Sequence, residues 1–390
     1  MSKHIKINNA TGEKFCNCFK RCGGCQLDKT YAEQLEWKQA KAERMLTKFC
    51  KDILPIIGMD KPYNYRNKVQ TVYKMNRSKQ IISGVYQSST RSLTAIDDCM
   101  LEDERATAIV KSLKKLMVSF KILPYNPETG RGLLRHTLIR TSRKTGQVML
   151  VLVTASPIFP SKRNFVNAML KLHPEITTII QNICIDSIPL TLGRRYIVMY
   201  GSGKIQDILC ECRFNISPES FYQVNPEQTE KLYNKVVEFA GIKEGDRVID
   251  AYCGTGTIGI ICAKNGADVA GVELNSSACR DAINNAKLNK LDNIRFYNED
   301  AEDFMRNLAV SGEKADIVIL DPPRAGATES FISATAALAP KKVVYVSCKI
   351  ETLERDLKFF KKAGYKAKKI QPVDMFPHTT GIETAVLLEK

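Results

Sequence analysis

No stretch of this sequence approaches the about 18 consecutive apolar residues that would read as a membrane-spanning helix. The first residues, Met1-Ser-Lys-His-Ile-Lys-Ile-Asn8, lack the apolar core of an export signal. These two absences give a cytoplasmic expectation. There is no internal repeat and no low-complexity linker, which excludes solenoid and tail-like architectures. Trp37 is the only tryptophan and is expected in the core. Acidic residues are missing from two long stretches, Tyr63–Lys79 and Arg131–Lys144.

The chain has 390 residues, enough for two or three domains with their own cores. Hydrophobic content of 44% with 26% charged residues suits a globular protein. The net charge is +16, and it is unevenly spread. Residues 241–390 hold 21 basic and 21 acidic residues, so residues 1–240 carry the whole excess. A basic front half before a neutral back half points to a polyanionic partner bound by the front. Thirteen cysteines in a chain without an export signal are expected to stay reduced.

The most informative stretch is Val248-Ile-Asp-Ala-Tyr-Cys-Gly-Thr-Gly-Thr-Ile-Gly259. It reads as a strand, a glycine-rich turn and the start of a helix. Gly254, Gly256 and Gly259 fit the pattern that lets backbone approach a nucleotide-like ligand. A second apolar run, Ala267–Glu273, ends in a carboxylate suited to a ribose diol. Strands are expected near 247–253, 268–273, 294–299, 315–320, 342–347, 367–373 and 383–388, mostly with helices between them. Residues 241–390 therefore read as an open α/β sheet. Strand ends in such a sheet line the ligand crevice, so Asp300, Asp321 and Cys348 should converge near the glycine turn.

At the front, Cys16, Cys22 and Cys25 are spaced five and two residues apart, with Cys18 as an extra thiol. Thiolates grouped this tightly suit zinc or an iron–sulfur cluster. Cys99 is the best candidate for a fourth ligand. Residues 1–12 read as a flexible leader. A helix is expected from Tyr31 to about Lys51, with Leu35, Met45, Leu46 and Phe49 on its apolar face. Residues 54–220 have mostly strand character, with an amphipathic helix around Lys111–Phe120 and a buried strand at Val148–Thr154. Strand alternation would set Arg66, Lys68 and Gln70 on one face, and bases interleaved with tyrosines fit phosphate contacts plus base stacking. A helix over Glu227–Ala240 is expected, with Asn225 as N-cap and Pro226 at its first position. Gln223 and Asn225 lie before it, within reach of the glycine-turn cleft.

These motifs together resemble the RNA uracil-5-methyltransferase family, over nearly the whole chain. The residues carrying the resemblance are Cys16, Cys22 and Cys25 with Cys99, the Tyr65-Arg-Asn-Lys68 and Arg131-Gly-Leu-Leu-Arg-His136 segments, and Phe221-Tyr-Gln-Val-Asn225. Tyr252-Cys-Gly-Thr-Gly256, Asp321-Pro-Pro-Arg324, Val346-Ser-Cys348 and Asp374-Met-Phe-Pro-His-Thr-Thr-Gly-Ile-Glu383 follow. The resemblance implies a Rossmann-like S-adenosylmethionine methyltransferase domain at 221–390. It implies an iron–sulfur segment and helix at 1–53, and a mostly β RNA-binding domain at 54–220 that also supplies Cys99. Cofactor contacts are implied at Gln223, Tyr252, Thr257, Glu273, Asp300 and Asp321, beside Gly254 and Gly256 of the glycine turn. A 4Fe-4S cluster is implied on Cys16, Cys22, Cys25 and Cys99.

By the same resemblance Cys348 is the nucleophile and Glu383 the general base. The expected product is 5-methyluridine in 23S rRNA, since the cluster-containing members compared act on large-subunit rRNA; the tRNA T-loop uridine is the alternative. A monomer is expected. The family's usual Asn-Pro after the nucleophile is replaced here by Lys349-Ile350, which leaves the thiol in place. Many members begin with an RNA-binding β-barrel for which there is no room before Cys16, so RNA affinity is expected from residues 26–220. Two readings from other classes stand beside this one. An NAD-binding iron–sulfur oxidoreductase leaves the Cys348 and Glu383 pair without a role. A non-catalytic RNA-binding protein would retain RNA binding with no activity to lose at Cys348.

Overall fold

A computed structural model of the protein describes residues 5–8, 12–87, 92–185 and 191–390. The chain forms two compact units. The first comprises Met1–Asp28, Pro62–Asp207 and Ile216–Pro218; the second comprises Lys29–Lys61, Ile208–Asn215 and Glu219–Lys390. Residues 29–61, grouped with the front of the chain on sequence alone, thus belong by contact to the back.

The first unit opens with a small hairpin, β1 (Ile5–Ile7) and β2 (Lys14–Cys16), and a helical turn, α1 (Phe19–Cys22). Residues 5–7 of the expected leader are therefore strand; residues 1–4 and 9–11 lie outside the described residues. Helix α2 (Tyr31–Leu46) belongs to the second unit. The first unit continues with β3 (Lys68–Met75), β4 (Ile81–Tyr86), β5 (Leu93–Ala95), α3 (Glu104–Ser119), β6 (Leu134–Thr141), β7 (Val148–Thr154), α4 (Lys162–Leu172), β8 (Ile176–Ile183) and β9 (Arg195–Tyr200). Its strands make one seven-stranded sheet in the order β5-β4-β3-β6-β7-β8-β9. Only β7 and β8 run parallel, joined by a crossover through α4. Helices α3 and α4 bury Ile109, Leu113, Phe165 and Met169 against Val69, Ile139, Leu150 and Leu152. The expected helix near 111–120 begins earlier, because Asp103 caps it by accepting the Arg105 N–H at 2.9 Å. Arg66 lies just before β3 and bridges to Glu102, while Lys68 and Gln70 alternate with buried neighbours on β3 as expected.

A hairpin, β10 (Ile205–Leu209) and β11 (Cys212–Ile216), precedes the second unit's main body. That body alternates α5 (Pro226–Ala240), β12 (Arg247–Ala251), α6 (Thr257–Lys264), β13 (Asp268–Val272), α7 (Ser276–Leu288), β14 (Ile294–Tyr297), α8 (Ala301–Val310), β15 (Ile317–Leu320), α9 (Glu329–Leu338), β16 (Lys342–Ser347), α10 (Ile350–Lys362), β17 (Lys366–Val373) and β18 (Glu383–Glu389). The strand order is β14-β13-β12-β15-β16-β18-β17, parallel up to β16 and antiparallel through the final hairpin. The order reverses direction at β12, where the glycine turn follows. Open α/β sheets take their ligands at such a switch point.

Helices α2, α8, α9 and α10 share one core with Ile249, Ala251, Val318, Leu320, Val343 and Tyr345. The inward face of α2 differs from expectation. Gln34, Lys38, Ala42 and Leu46 are buried, so only Leu46 of the expected apolar set lies on that stripe. Trp37 sits off it, half-buried, with the Lys41 ammonium 5.7 Å from its ring. At α5 the capping reading holds: the Asn225 side chain accepts the Gln228 N–H, and Pro226 takes the first turn.

Candidate active site

The site is built where β12 ends. Tyr252 has φ of 63°, a left-handed conformation unusual for a side chain of its size. It turns the chain so that the Gly254 N–H donates to Glu273 Oε2 at 3.0 Å. The other Glu273 oxygen accepts the Asn275 N–H at 2.7 Å, at the start of α7. One carboxylate thus ties the glycine turn to the end of β13. Gly256 has φ of 78°, and a Cβ there would lie 2.7 Å from the Phe296 ring, so no larger residue fits.

Below the turn, Asp250 is buried on β12. Its Oδ2 accepts the Gly259 N–H at 2.7 Å, and its Oδ1 has no partner among the described residues. This carboxyl is pushed up to about 7, chiefly by burial; the Gly259 N–H opposes the rise, and the neighbouring Asp321 and Glu273 contribute to it. Asp321 follows β15 directly and is likewise pushed up to about 7 by burial. Pro322 and Pro323 then hold the backbone extended and place Arg324 beside the same space.

Cys348 follows β16, and Glu383 opens β18 with 3% of its surface exposed. Burial pushes the Cys348 thiol up to about 11; the Glu383 and Asp321 carboxyls add to this, and Arg324 opposes it. Burial also lifts Glu383 to about 8, with Asp321 raising and Arg324 lowering it. These groups line a single cavity of about 580 Å³. Of the residues singled out from sequence, Gln223, Tyr252, Gly254, Thr257, Glu273, Asp321, Cys348 and Glu383 line it. Gly256 and Asp300 do not. Gly256 caps α6, and Asp300 caps α8 by accepting the Glu302 and Asp303 N–H groups; its charge acts on Tyr252 from behind. Asn225 does not reach the cleft either. It is buried at the head of α5, where it donates to the Met375 carbonyl at 2.9 Å.

Sequence reasoning passed over Asp250, Asp281, Arg324 and Phe376, which also line the cavity. Three of them stand inside stretches already singled out, but nothing in the linear pattern says which side chains turn inward. Chemically, the cavity offers two thiols (Cys253 and Cys348), one guanidinium and several carboxyls drawn together in low dielectric. An unpartnered Asp250 oxygen in such a wall suits a ligand carrying positive charge.

The cysteine cluster lies in the first unit. The Cys18 N–H points at Cys16 Sγ at 3.3 Å and the Gly24 N–H at Cys22 Sγ at 3.4 Å. Burial pushes Cys25 up to about 12, with Cys22 and Cys16 adding and Arg66 opposing. Cys99 is raised by burial and Glu102, and to a lesser degree by Cys25. Among the described residues, no three Cys, His, Asp or Glu side chains are grouped closely enough to hold a metal ion.

On β3 and β6, Lys68 and Arg140 lie directly opposite one another. Burial lowers Lys68 to about 8, with Arg140 adding, and lowers Arg140 to about 10. Two tyrosines of this region do not fit the stacking role, while Tyr63 is half-buried with the Lys14 ammonium 5.2 Å from its ring centre. Tyr65 and Tyr73 are fully buried, and Tyr73 pairs with Thr137 at 3.1 Å. Strand alternation turns Tyr73 into the core with Val69.

No described helix is long and apolar enough to cross a membrane. Residues 190–390 match the family model for tRNA (uracil-5-)-methyltransferases. An uncharacterized RNA methyltransferase of Clostridium tetani is 40% identical over 377 residues, covering 96% of this chain and 82% of that protein. One from Halalkalibacterium halodurans is 39% identical over 379 residues, with the same coverage. Among solved structures, the tRNA (uracil-54, C5)-methyltransferase of Pyrococcus abyssi in complex with S-adenosyl-L-homocysteine matches with a TM-score of 0.78 and 26% identity, covering 100% of this chain and 92% of that one. The switch-point cavity, the fold and these relatives agree: the chain belongs to the S-adenosylmethionine-dependent RNA uracil-5-methyltransferase family.

Proposed function

We propose that the protein methylates carbon 5 of a specific uridine in 23S rRNA, through a covalent adduct on Cys348 and proton removal by Glu383. The observation that carries this is the presence of Cys348 and Glu383 in one cavity with the glycine turn. S-adenosylmethionine supplies an electrophilic methyl on a cationic sulfonium. Gln223, Tyr252, Gly254, Thr257, Glu273 and Asp321 would hold it, with Gly256 shaping the turn and Asp300 supporting Tyr252. The carboxyl-rich wall and the unpartnered Asp250 oxygen fit that cation.

The thiol of Cys348 loses its proton to solvent, since the thiolate is the reactive form. Its lone pair adds to carbon 6 of uracil, and the ring π electrons move onto the carbon 4 carbonyl oxygen. Carbon 5 takes the methyl group with the returning electron pair, while the methyl–sulfur bond breaks and its electrons stay on sulfur, leaving neutral S-adenosylhomocysteine. Glu383 then removes the proton from carbon 5. Those electrons restore the ring double bond and expel the thiolate. The uridine must leave any stack to reach the cavity.

Cys16, Cys22, Cys25 and Cys99 would hold a 4Fe-4S cluster. Two backbone N–H groups aimed at sulfur and the Cys16, Cys22, Cys25 spacing support this. A cubane cluster holds its thiolates further apart than a single ion does. The scheme needs no electron transfer, so a cluster held there would brace the first unit. Lys68, half-buried on β3, is the basic group there assigned to an RNA phosphate contact; Arg140 opposite it is fully buried. A cytoplasmic monomer accords with these assignments.

A second reading, a tRNA T-loop uridine, is favoured by the uracil-54 specificity named for the Pyrococcus abyssi relative. Mass spectrometry separates the two. Unmodified 23S rRNA and tRNA transcripts are incubated separately with enzyme and labelled S-adenosylmethionine. Label as 5-methyluridine in rRNA is the expected result; label only in tRNA reverses the assignment. The Glu383→Gln variant should hold RNA covalently, and its failure to do so while Cys348 remains would falsify the base assignment.

A further inference from the structure

Helix α2 buries polar side chains where a core-facing helix ordinarily buries apolar ones. Gln34 and Lys38 are both fully buried. With Tyr31 they occupy positions i, i+3 and i+7 of one helical stripe. A buried ammonium is costly unless it is paired and hydrogen-bonded. Lys38 Nζ meets Asp374 Oδ1 at 2.5 Å, in a pair with no solvent exposure on either side. The same ammonium donates to the Phe376 carbonyl at 3.1 Å. Tyr31 donates its hydroxyl to Asp374 Oδ2 at 2.8 Å and accepts the Met59 N–H at 2.8 Å. Gln34 clasps His378 at two points: Oε1 accepts its N–H at 2.8 Å, and Nε2 faces its Nδ1 at 3.1 Å.

Apart from Met59, these partners (Asp374, Phe376 and His378) lie in the loop 374–382 between β17 and β18. The strands on either side pair in register, Val373 opposite Glu383, so the loop leads directly into Glu383. Phe376, inside it, and Glu383, at its end, both line the cavity. The loop has no regular structure of its own to set its path. His378 has φ of 68°, a strained choice for a non-glycine residue, and its backbone N–H is the group that Gln34 holds. A strained loop persists where surrounding contacts over-determine it; here α2 holds the Asp374 side chain, the Phe376 carbonyl and His378, and Asn225 and Gln228 at the head of α5 hold the Met375 and Asp374 carbonyls.

We propose that Gln34 and Lys38 are positioning residues for the methylation reaction, holding the loop 374–382 in the conformation that presents Phe376 and Glu383 to the bound uracil. The inference rests on the reading of Glu383 as the base. It extends the working parts of the site to a helix 336 residues away in sequence. A purely structural role would lower every step together. A positioning role slows the step that needs Glu383 and leaves the methylated RNA attached through Cys348.

The test uses the full-length protein with transcribed, unmodified 23S rRNA and tRNA as probes. Wild type, Glu383→Gln, Gln34→Leu and the double variant Lys38→Met with Asp374→Asn are compared. The double variant removes both charges, so neither is left buried alone. Calorimetric S-adenosylmethionine binding reports the folded site, denaturing gels report covalent RNA adduct, and free 5-methyluridine RNA reports release. Both α2-centred variants are expected to bind S-adenosylmethionine as wild type does, to accumulate adduct, and to release product about tenfold to a hundredfold more slowly. Should Gln34→Leu not fold, the double variant decides on the same readouts. Release at the wild-type rate, or equal losses in binding, transfer and release, overturns the proposal while leaving Glu383 as base. If Glu383→Gln itself holds no adduct, the base reading fails and the proposal with it.

Discussion

Glu383 is the residue on which the chemistry turns, and burial sets its behaviour. Its carboxyl is lifted to about 8, so in the ligand-free protein at pH 7 it is mostly protonated. Only the carboxylate can take the carbon 5 proton. Below pH 8 its fraction falls about tenfold per unit, following the ordinary titration curve. The release step is therefore expected to accelerate from pH 6 to about 8, measured by single-turnover release of preformed adduct. A flat profile over that range would assign the proton to another group. The same burial has a thermodynamic side. Asp250, Asp321 and Glu383 have folded pKa values of about 7, 7 and 8 against ordinary values of 3.8, 3.8 and 4.5. Between those limits the folded state holds protons that the unfolded chain has released. Stability contributed by these groups is thus full below about pH 4 and is lost as pH rises toward 8. The ligand-free protein should melt at a lower temperature at pH 8 than at pH 6. Bound S-adenosylmethionine, a cation beside these carboxyls, should flatten that slope.

At the scale of the element, helix ends and strand ends do the positioning. Asn225 shows how one side chain serves two elements: it caps α5 through the Gln228 N–H and holds the Met375 carbonyl with its amide. Asn225→Ala should cost about 1 kcal/mol for the cap alone, and more for the buried carbonyl left unpaired. Urea unfolding measures the loss, and a change below a few tenths would mean that neither bond matters. Gly256 carries the opposite kind of constraint. Gly256→Ala would set a methyl group 2.7 Å from the Phe296 ring at a positive φ, and should weaken S-adenosylmethionine binding in calorimetry by at least tenfold. These element ends were largely legible in the linear pattern. The alternation of apolar runs marked all seven strands of the second unit to within about three residues, and Asn225 and Pro226 marked the start of α5. The inward face of α2 was not legible. A helix that turns Gln34 and Lys38 inward runs against apolar periodicity, and only the loop 374–378, over three hundred residues away, explains it.

At the scale of the whole molecule, charge divides the labour. The basic excess lies in residues 1–240, and Lys68 with Arg140 concentrates it on facing strands. Removing Lys68 as Lys68→Ala should weaken RNA binding and reduce the salt slope of log K by about one, with S-adenosylmethionine affinity unchanged. Filter binding across a salt series checks this; an unchanged slope would take Lys68 off the RNA path. The strand and helix alternation, the glycine turn, the caps and the charge asymmetry were determined by the sequence itself, because each depends on residues close together in the chain or on composition. Tertiary structure alone decided which side chains reach the cavity. It sent Asp300 to cap α8, turned the Asn225 amide to the Met375 carbonyl, brought Asp250, Arg324 and Phe376 to the wall, and buried Tyr65 and Tyr73, two of the tyrosines expected to stack on bases. The physical reason is the same in each case. Inward orientation, burial and the pKa shifts that follow depend on neighbours distant in sequence, and only packing brings those neighbours together.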